Sequence, residues 1–404
     1  MNLARISFSH LRARPWSTAL NLILLALAVA TVVVIVLVSA QLEERLERDA
    51  QGIDLVIGPK GSALQIVLSS LYQLDAPGGT MRWADAERVA GDPGVRKVIP
   101  ILLADNYWGF RIVGTTHDYI AQYGGQPAAG RLWQAPFEAV LGADVATRMR
   151  AVVGGTFIAG HGVRASRAEL HESDPYRVVG VLHRTGSVID RLVLTDMSSI
   201  ARSHVPQRDA EETGLVTEPP PEDMREVTAL LVQAVTPEDA EALAMRLNAE
   251  GELQAALPGS EVRRIFRFIG VGADVMWAFA LVLMLSAGLS VFIALFNQLN
   301  ERRQDLAIMR ALGAGGGRLM ALLLFEGLTL AALGAALGLA LGHALTGAIG
   351  LALTRAHQVS LTGWTWNRNE PWIIVLALLV GLVAALVPAW RARRIDIAGT
   401  LARH

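Results

Sequence analysis

Four long segments with little or no charge limit what this chain can fold into. They are Ser17–Leu42, Val275–Asn300, Leu319–Thr354 and Pro371–Trp390, and only the third contains an acidic residue, Glu326. A helix needs about 20 apolar residues to cross a hydrocarbon layer of about 30 Å, and each segment is long enough. The 52% hydrophobic content fits this interpretation, because the excess apolar surface must face lipid. The sequence predicts four transmembrane helices.

The first segment could instead be a cleaved signal peptide. Arg12 and Arg14 precede it, and Val38-Ser39-Ala40 resembles a cleavage site. However, the apolar region of a signal peptide is about 7–15 residues long, and the apolar run at 19–40 is longer. We therefore expect an uncleaved membrane anchor.

Residues 43–268, between the first two spans, have the composition of a folded domain. Short β-branched runs, at 54–57, 111–113, 177–182 and 191–194, alternate with helical patterns at 83–90 and 237–249. The predicted fold class is an α+β membrane protein, with four transmembrane helices and a large mixed α/β extracytoplasmic domain between helices 1 and 2.

Arginines near the spans favour cytoplasmic termini. Positive residues concentrate in cytoplasmic loops, whereas long domains translocate largely regardless of charge. The side that bears both termini carries Arg5, Arg12, Arg14, Arg302, Arg303, Arg310, Arg318, Arg391, Arg393, Arg394 and Arg403. The opposite side carries fewer: Arg45, Arg48, Arg263, Arg264, Arg267, Arg355 and Arg368. We expect residues 43–268 to lie outside the cytoplasm.

Several classes of function are excluded by residues that the sequence lacks. Neither lysine, Lys60 or Lys97, follows a glycine, so the chain has no phosphate-binding loop of an ATPase. It has no cysteine, and it contains neither Gly-x-Ser-x-Gly nor His-Glu-x-x-His, so we expect no catalytic site. With a formal net charge of −1, we also expect no nucleic-acid partner.

The segment between the second and third spans is predicted to form a short amphipathic helix. Leu306, Met309 and Leu312 share one helical face, charged residues surround them, and Gly313 ends the pattern. An apolar stripe of this kind can bind in a groove of a partner protein or rest on lipid headgroups, and the pattern alone fits both.

Polar residues and glycines inside the spans suggest further sites. Glu326 must be hydrated or paired, either as a proton relay or as a structural contact with a neighbouring helix, because an isolated carboxylate is costly in lipid. Gly334, Gly338 and Gly342 share a face on which another helix can pack closely. His161, His171 and His183 are weak candidates for zinc ligands, but their spacing matches no compact metal motif. We expect no metal site.

The string ERRQDLAIMRALGA at 301–314, together with LVPAWRARRIDIAGTLA at 386–402, resembles the FtsX-like permease family of ABC transporters. The opening, NLARISFSHLRARPWSTALNLILLALAVA at 2–30, is similar to that of MacB-like permeases, and the outer domain carries motifs in the order of a MacB-type core domain. The resemblance covers nearly the whole chain. It implies a permease subunit that couples ATP hydrolysis in a separate subunit to movements of the outer domain, by mechanotransmission. The substrate would then be exported, extracted or relayed at the outer face of the inner membrane.

The resemblance also implies partners. An ABC ATPase subunit would hold ATP and Mg²⁺, while this chain would bind no cofactor. A second permease copy is expected, as a homodimer, and a periplasmic adaptor, lipoprotein or binding protein and membrane lipid are further candidates. The coupling residues implied by the resemblance are Glu301, Arg302, Arg303, Asp305, Leu306, Met309, Arg310, Leu312 and Gly313.

Two alternatives follow from the same resemblance. The family includes a division-type transmembrane regulator of a periplasmic hydrolase, although the outer domain of that regulator is much smaller. Residues 174–191 are also similar to those of permeases associated with metal supply, which gives zinc-related transport as an alternative substrate class.

The complete predicted layout places the protein in the bacterial inner membrane with cytoplasmic termini. It comprises an amphipathic N-terminal helix at 1–16, TM1 at 17–42, the extracytoplasmic domain at 43–268, TM2 at 269–298, the coupling helix at 299–318, TM3 at 319–349, an outer loop at 350–370, TM4 at 371–391 and a cytoplasmic tail at 392–404.

Overall fold

The structure is a computed structural model and describes residues 15–161, 175–203, 225–301, 315–355 and 361–393. The predicted N-terminal helix and C-terminal tail lie almost entirely outside these ranges. The chain divides into two compact units. Residues 1–42 with 268–404 form the membrane unit, and residues 43–267 form the outer unit. Each unit has its own core and is described by itself.

The elements of the outer unit follow in chain order after the first long helix, α1 (Pro15–Ala50). They are β1 (Leu55–Pro59), α2 (Ala63–Ile66) with a π-helical turn (Val67–Leu71), β2 (Met81–Arg82), α3 (Trp83–Ala90), β3 (Val95–Tyr107), β4 (Phe110–Thr115), α4 (His117–Gln122), β5 (Pro127–Gly130), β6 (Glu138–Leu141), α5 (Ala143–Met149), β7 (Thr156–Phe157), β8 (Gly160–His161), β9 (Tyr176–Leu182), a 3₁₀ turn (Val188–Arg191), β10 (Val193–Asp196), α6 (Met197–Ser203), β11 (Glu226–Val227), β12 (Ala229–Ala234), α7 (Pro237–Glu250) and β13 (Leu253–Ala256).

Eleven strands form one large mixed sheet in the order β13-β1-β12-β3-β4-β10-β6-β9-β5, with β7 paired to β9 and β8 paired to β3. Strands β2 and β11 form a separate two-stranded sheet. Most neighbours are antiparallel, but β10 runs parallel to β4 and β6 runs parallel to β9. This mixed topology, together with helices α3 and α7 at the predicted positions, confirms the α/β prediction for the domain. The strand expected at 191–194 begins at Val193, because the residues before it form the 3₁₀ turn.

Two apolar cores lie along this sheet. One packs α3 and α7 against β1, β12 and β13, with Leu55, Leu230 and Leu243 among its buried side chains. The other packs α5 and α6 against β4, β6, β9 and β10. In the second core Phe157 stacks on Tyr176, with ring centroids 5.3 Å apart.

Four helices are long and apolar enough to cross a membrane: α1, α8 (Pro258–Glu301), α9 (Gly316–Arg355) and α10 (Glu370–Arg393). This confirms the four predicted spans and the position of the α/β domain between the first two. Helix α1 has 36 residues and α8 has 44. At about 1.5 Å per residue, both exceed the roughly 30 Å of a hydrocarbon core. Their charged ends, which include residues 43–50 and 261–267, are helical.

The membrane unit packs through small residues. A Cβ placed on Gly327 of α9 would lie 2.7 Å from the Cβ of Ala385 of α10 and 3.1 Å from the carbonyl oxygen of Gly381. Backbones can approach this closely only where no side chain intervenes. The α9–α10 pair therefore packs backbone to backbone at this level.

Candidate functional site

The glycine stripe of α9 meets α1 of the same chain. A Cβ would lie 2.6 Å from Leu25 Cδ2 at Gly334, 2.5 Å from Val29 Cβ at Gly338 and 2.6 Å from Val33 Cβ at Gly342. These distances are too short for a real Cβ, so glycine is required at three successive steps along the helix. The stripe is a continuous contact between the first and third membrane helices.

Glu326 lies on α9 and is 2% exposed. Its Oε1 accepts a hydrogen bond of 2.8 Å from Nε2 of Gln298, which lies on α8. A second polar contact connects α1 to α8, where the Ser290 hydroxyl donates to Asn21 Oδ1 at 2.5 Å. Since buried polar groups in lipid require partners, these two pairs fix the positions of α1, α8 and α9 relative to one another.

The coupling residues predicted from the resemblance lie mostly outside the described residues. Glu301 is the exposed last residue of α8. Arg302, Arg303, Asp305, Leu306, Met309, Arg310, Leu312 and Gly313 all fall in the range 302–314, which the structure does not describe. Helix α9 begins at Gly316, where a Cβ would lie 3.0 Å from the carbonyl oxygen of Arg393 of α10.

A second polar cluster connects α9 to the loop before α10. His343 Nε2 lies 3.1 Å from Glu370 Oε2, and His343 Nδ1 lies 2.7 Å from the carbonyl oxygen of Gly363. Glu370 is fully buried, and its other oxygen accepts from the backbone N–H of Asn367 at 2.7 Å. The loop is also held by α1, because Gln41 Oε1 accepts from Thr362 N and Gln41 Nε2 donates to Thr362 O, both at 2.9 Å.

Within the outer unit, the end of α1 is held by a buried polar network. The Asp49 carboxylate is 1% exposed and accepts a hydrogen bond of 2.8 Å from Val188 N–H. Tyrosine hydroxyls satisfy two carbonyls of the last turn: Tyr72 donates to Leu46 O at 3.1 Å, and Tyr123 donates to Asp49 O at 3.0 Å. The last carbonyls of a helix have no intrahelical partner, so the domain supplies the hydrogen-bond donors that this helix end needs.

Burial affects the ionisable groups of this network. It lowers the pKa of Arg191, an effect that the nearby Asp49 carboxylate partly opposes. Burial also raises the pKa values of Tyr119 and Tyr123, and the negative charge of Asp49 raises them further. Arg191 donates to Tyr72 O at 2.7 Å. This pattern indicates a structural role, in which the charges of the Asp49 carboxylate and the Arg191 guanidinium compensate each other away from water.

The sequence did not predict this buried network around Asp49. The string QLEERLERDA at 41–50 is compatible with a charged helix that extends the first span or with a solvated loop, and neither interpretation predicts that Leu46 and Asp49 are buried. Their spacing of three residues places them on one helical face, and this was the available signal.

The three candidate zinc ligands are not brought into a described cluster. His183 is exposed, the backbone of His161 pairs with Asp105, and His171 lies outside the described residues. Among the residues that the structure describes, no group of three or more His, Cys, Asp or Glu side chains could hold a metal ion.

The outer unit has a cleft of about 250 Å³ between its two cores. Trp83 of α3, Leu102 of β3 and Met197 of α6 provide its apolar lining, and Arg225 and Glu226 also line it. The Thr80 hydroxyl donates to Glu226 Oε2 at 2.5 Å.

Comparison with protein families matches both units. The MacB-like periplasmic core domain matches residues 18–250, which is more than half of the chain, and the FtsX-like permease C-terminal domain matches residues 277–397. The chain belongs to the FtsX/MacB-type ABC transporter permeases. The match confirms the resemblance in the sequence, and a permease of this family works with an ABC ATPase in general.

Solved structures resemble the outer part of this FtsX/MacB-type permease. The periplasmic region of MacB from Actinobacillus actinomycetemcomitans is 12% identical, with 54% of this chain and 95% of that chain covered and a TM-score of 0.36. The extracellular domain of the ABC-type transporter YknZ from Gram-positive bacteria is 13% identical, with 50% and 98% covered and a TM-score of 0.29. A comparison with curated protein sequences finds no significant match. The family and the four apolar helices indicate the inner membrane.

Proposed function

We propose that this permease transmits ATP-driven movement from a separate cytoplasmic ATPase to its extracytoplasmic domain, through helices α1 and α8. The domain would then act on a substrate at the outer face of the inner membrane. The observation that carries this proposal is that α1 and α8 are each one unbroken helix. Each contains an apolar span and the charged residues that follow or precede it. A continuous helix transmits displacement along its axis, because its backbone hydrogen bonds resist bending.

The Asp49 network supports the same proposal. A helix can move a domain only if its end is fixed in that domain, and Asp49, Leu46 and Val188 form buried contacts at that end. The hydrogen bonds of Gln298 with Glu326 and of Asn21 with Ser290 connect the membrane helices. Together they would make α1 move with the bundle.

We assign the contact through which the ATPase moves the permease to residues 301–313. Their apolar stripe would bind in a groove of the ATPase, which holds ATP and Mg²⁺, and this requires cytoplasmic termini. A second copy of the permease, as a homodimer, would match the two ATPase sites of an ABC transporter. A periplasmic adaptor, lipoprotein or binding protein would engage the outer domain.

The direct test uses Leu306→Asp and Leu312→Asp in the full chain, co-expressed with its partner ABC ATPase. Burial of a leucine side chain contributes about 1.5–3 kcal/mol, so its replacement should weaken ATPase binding about tenfold or more. Met245→Asp is the matched control, since Met245 is 69% exposed on α7 of the outer domain. The control should co-purify normally with the ATPase. Full ATPase binding by both Leu306→Asp and Leu312→Asp would contradict the coupling assignment and favour a contact with lipid headgroups.

A further inference from the structure

A groove lies between the charged ends of α1 and α8, inside the outer unit. Its volume is about 640 Å³, which is within the usual range of ligand sites. Acidic side chains of α1, basic side chains of α8 and two apolar side chains of α8 line it: Glu43, Glu47, Arg263, Arg267, Val262 and Phe266.

The charges in the groove are arranged by sign. Glu43 and Glu47 are four residues apart on α1, and Arg263 and Arg267 are four residues apart on α8, so each pair shares one helical face. Among the described residues, no ion pair joins these acidic side chains to these arginines. The groove therefore offers two carboxylates on one wall and two guanidinium groups on the other.

The groove also lies beside the membrane-spanning segments in the chain. Glu43 directly follows the uncharged run that ends at Leu42, and Arg267 lies two residues before the predicted second span at 269–298. Charged residues that flank a span lie at the level of the lipid headgroups. Val262 is buried and Phe266 is half-buried, so the groove has an apolar floor as well.

We propose that this groove binds the headgroup of a zwitterionic phospholipid of the phosphoethanolamine type. The phosphate would bind Arg263 and Arg267, because the planar guanidinium group is well suited to phosphate oxygens. The ammonium group would bind Glu43 and Glu47, and Val262 and Phe266 would contact the glycerol and the first acyl carbons. This site does not depend on ATPase coupling and goes beyond the proposed function.

The test is native mass spectrometry of the full-length permease after exchange into equimolar phosphatidylethanolamine and phosphatidylglycerol. We expect about tenfold preferential retention of phosphatidylethanolamine, since a charge-assisted contact to the ammonium is absent from the glycerol headgroup. Soluble O-phosphoethanolamine and inorganic phosphate are added in separate experiments. Equal retention of the two lipids, or displacement of the lipid by inorganic phosphate, would overturn the proposal.

Charge reversal separates specific binding from a general effect on folding. Glu43→Arg with Glu47→Arg should abolish the preference for phosphatidylethanolamine. The fourfold exchange that adds Arg263→Glu and Arg267→Glu should restore it, since a zwitterion can bind in the reverse orientation. Arg264→Glu is the control, because Arg264 is exposed on the same helix and does not line the groove. Failure of the exchange variant to regain lipid, with its thermal midpoint unchanged, would refute the site.

Discussion

Gly338 of α9 lies directly against Val29 of α1, so that a Cβ on Gly338 would be 2.5 Å from the Cβ of Val29. Gly338→Leu should therefore force the two helices apart. Overpacking typically costs about 1–3 kcal/mol, and we expect a lower thermal midpoint of the permease in detergent. Ala336→Leu, which adds a side chain of the same size at an exposed position of α9, should leave the midpoint unchanged. Equal effects of the two substitutions would contradict the close packing.

Substitutions of Asp49 and Arg191 should have strongly non-additive effects on the stability of the outer domain. Asp49→Asn keeps an acceptor for Val188 N–H but removes the negative charge near Arg191. We expect a loss of about 1–3 kcal/mol in the stability of the outer domain. Arg191→Met in the Asp49→Asn background should recover part of it, because the uncompensated guanidinium is then absent. Thermal denaturation of the four proteins of this cycle measures the coupling, and purely additive effects would argue against the pair.

The stability of the outer domain should respond to acid through Glu138. Arg131 donates to both carboxylate oxygens of Glu138, at 2.7 and 2.5 Å, and lowers its pKa to about 2. A carboxyl group whose pKa is lower in the folded state stabilises the fold above its unfolded pKa, and this contribution is lost as pH falls through the folded value. The difference in thermal midpoint between wild type and Glu138→Gln should therefore be constant above about pH 5 and decrease towards pH 2. A difference independent of pH would exclude this ion pair as the cause.

We expect the backbone of Trp108 to be strained. It forms the β3–β4 turn with Gly109, is 76% exposed, and adopts a positive φ of 52°. A left-handed backbone costs a residue with a Cβ about 1–2 kcal/mol, and tight hairpin turns favour Asn or Gly. Trp108→Asn should raise the thermal midpoint, whereas Trp108→Val should lower it because a β-branched side chain fits this conformation poorly. A destabilising effect of Asn would show that the indole itself makes a stabilising contact.

Cysteine labelling can test the orientation of the chain in the membrane. In this cysteine-free protein, we expect Thr147→Cys in the outer domain to react with an impermeant maleimide added outside the cytoplasm. Gly317→Cys should react only after permeabilisation. Both positions are exposed, and a Cβ at Gly317 meets no atom within 4 Å. The reverse labelling pattern would invert the proposed topology.

The four spans and the mixed α/β domain could be predicted because segment length, absence of charge and β-branched runs are local properties. The partners of the polar residues could not. Glu326 was predicted to need a partner, but only the folded bundle identifies Gln298. Likewise, the spacing of Gly334, Gly338 and Gly342 indicates a packing face without naming α1. Asp49 was missed because a carboxylate in a charged helix resembles a solvated one until the domain folds around it.

The contact between Gln41 and Thr362 limits how this chain can vary. Gln41 accepts from the N–H of Thr362 and donates to its carbonyl oxygen, which is the two-way pairing of a peptide group in a β-ladder. A carboxylate at this position would place an acceptor against that carbonyl, and a lysine would offer no acceptor to the N–H. We therefore expect related sequences to keep an amide at position 41. Position 362 should keep a side chain with an acceptor oxygen, because the Thr362 hydroxyl accepts a hydrogen bond of 3.2 Å from the backbone N–H of Trp364.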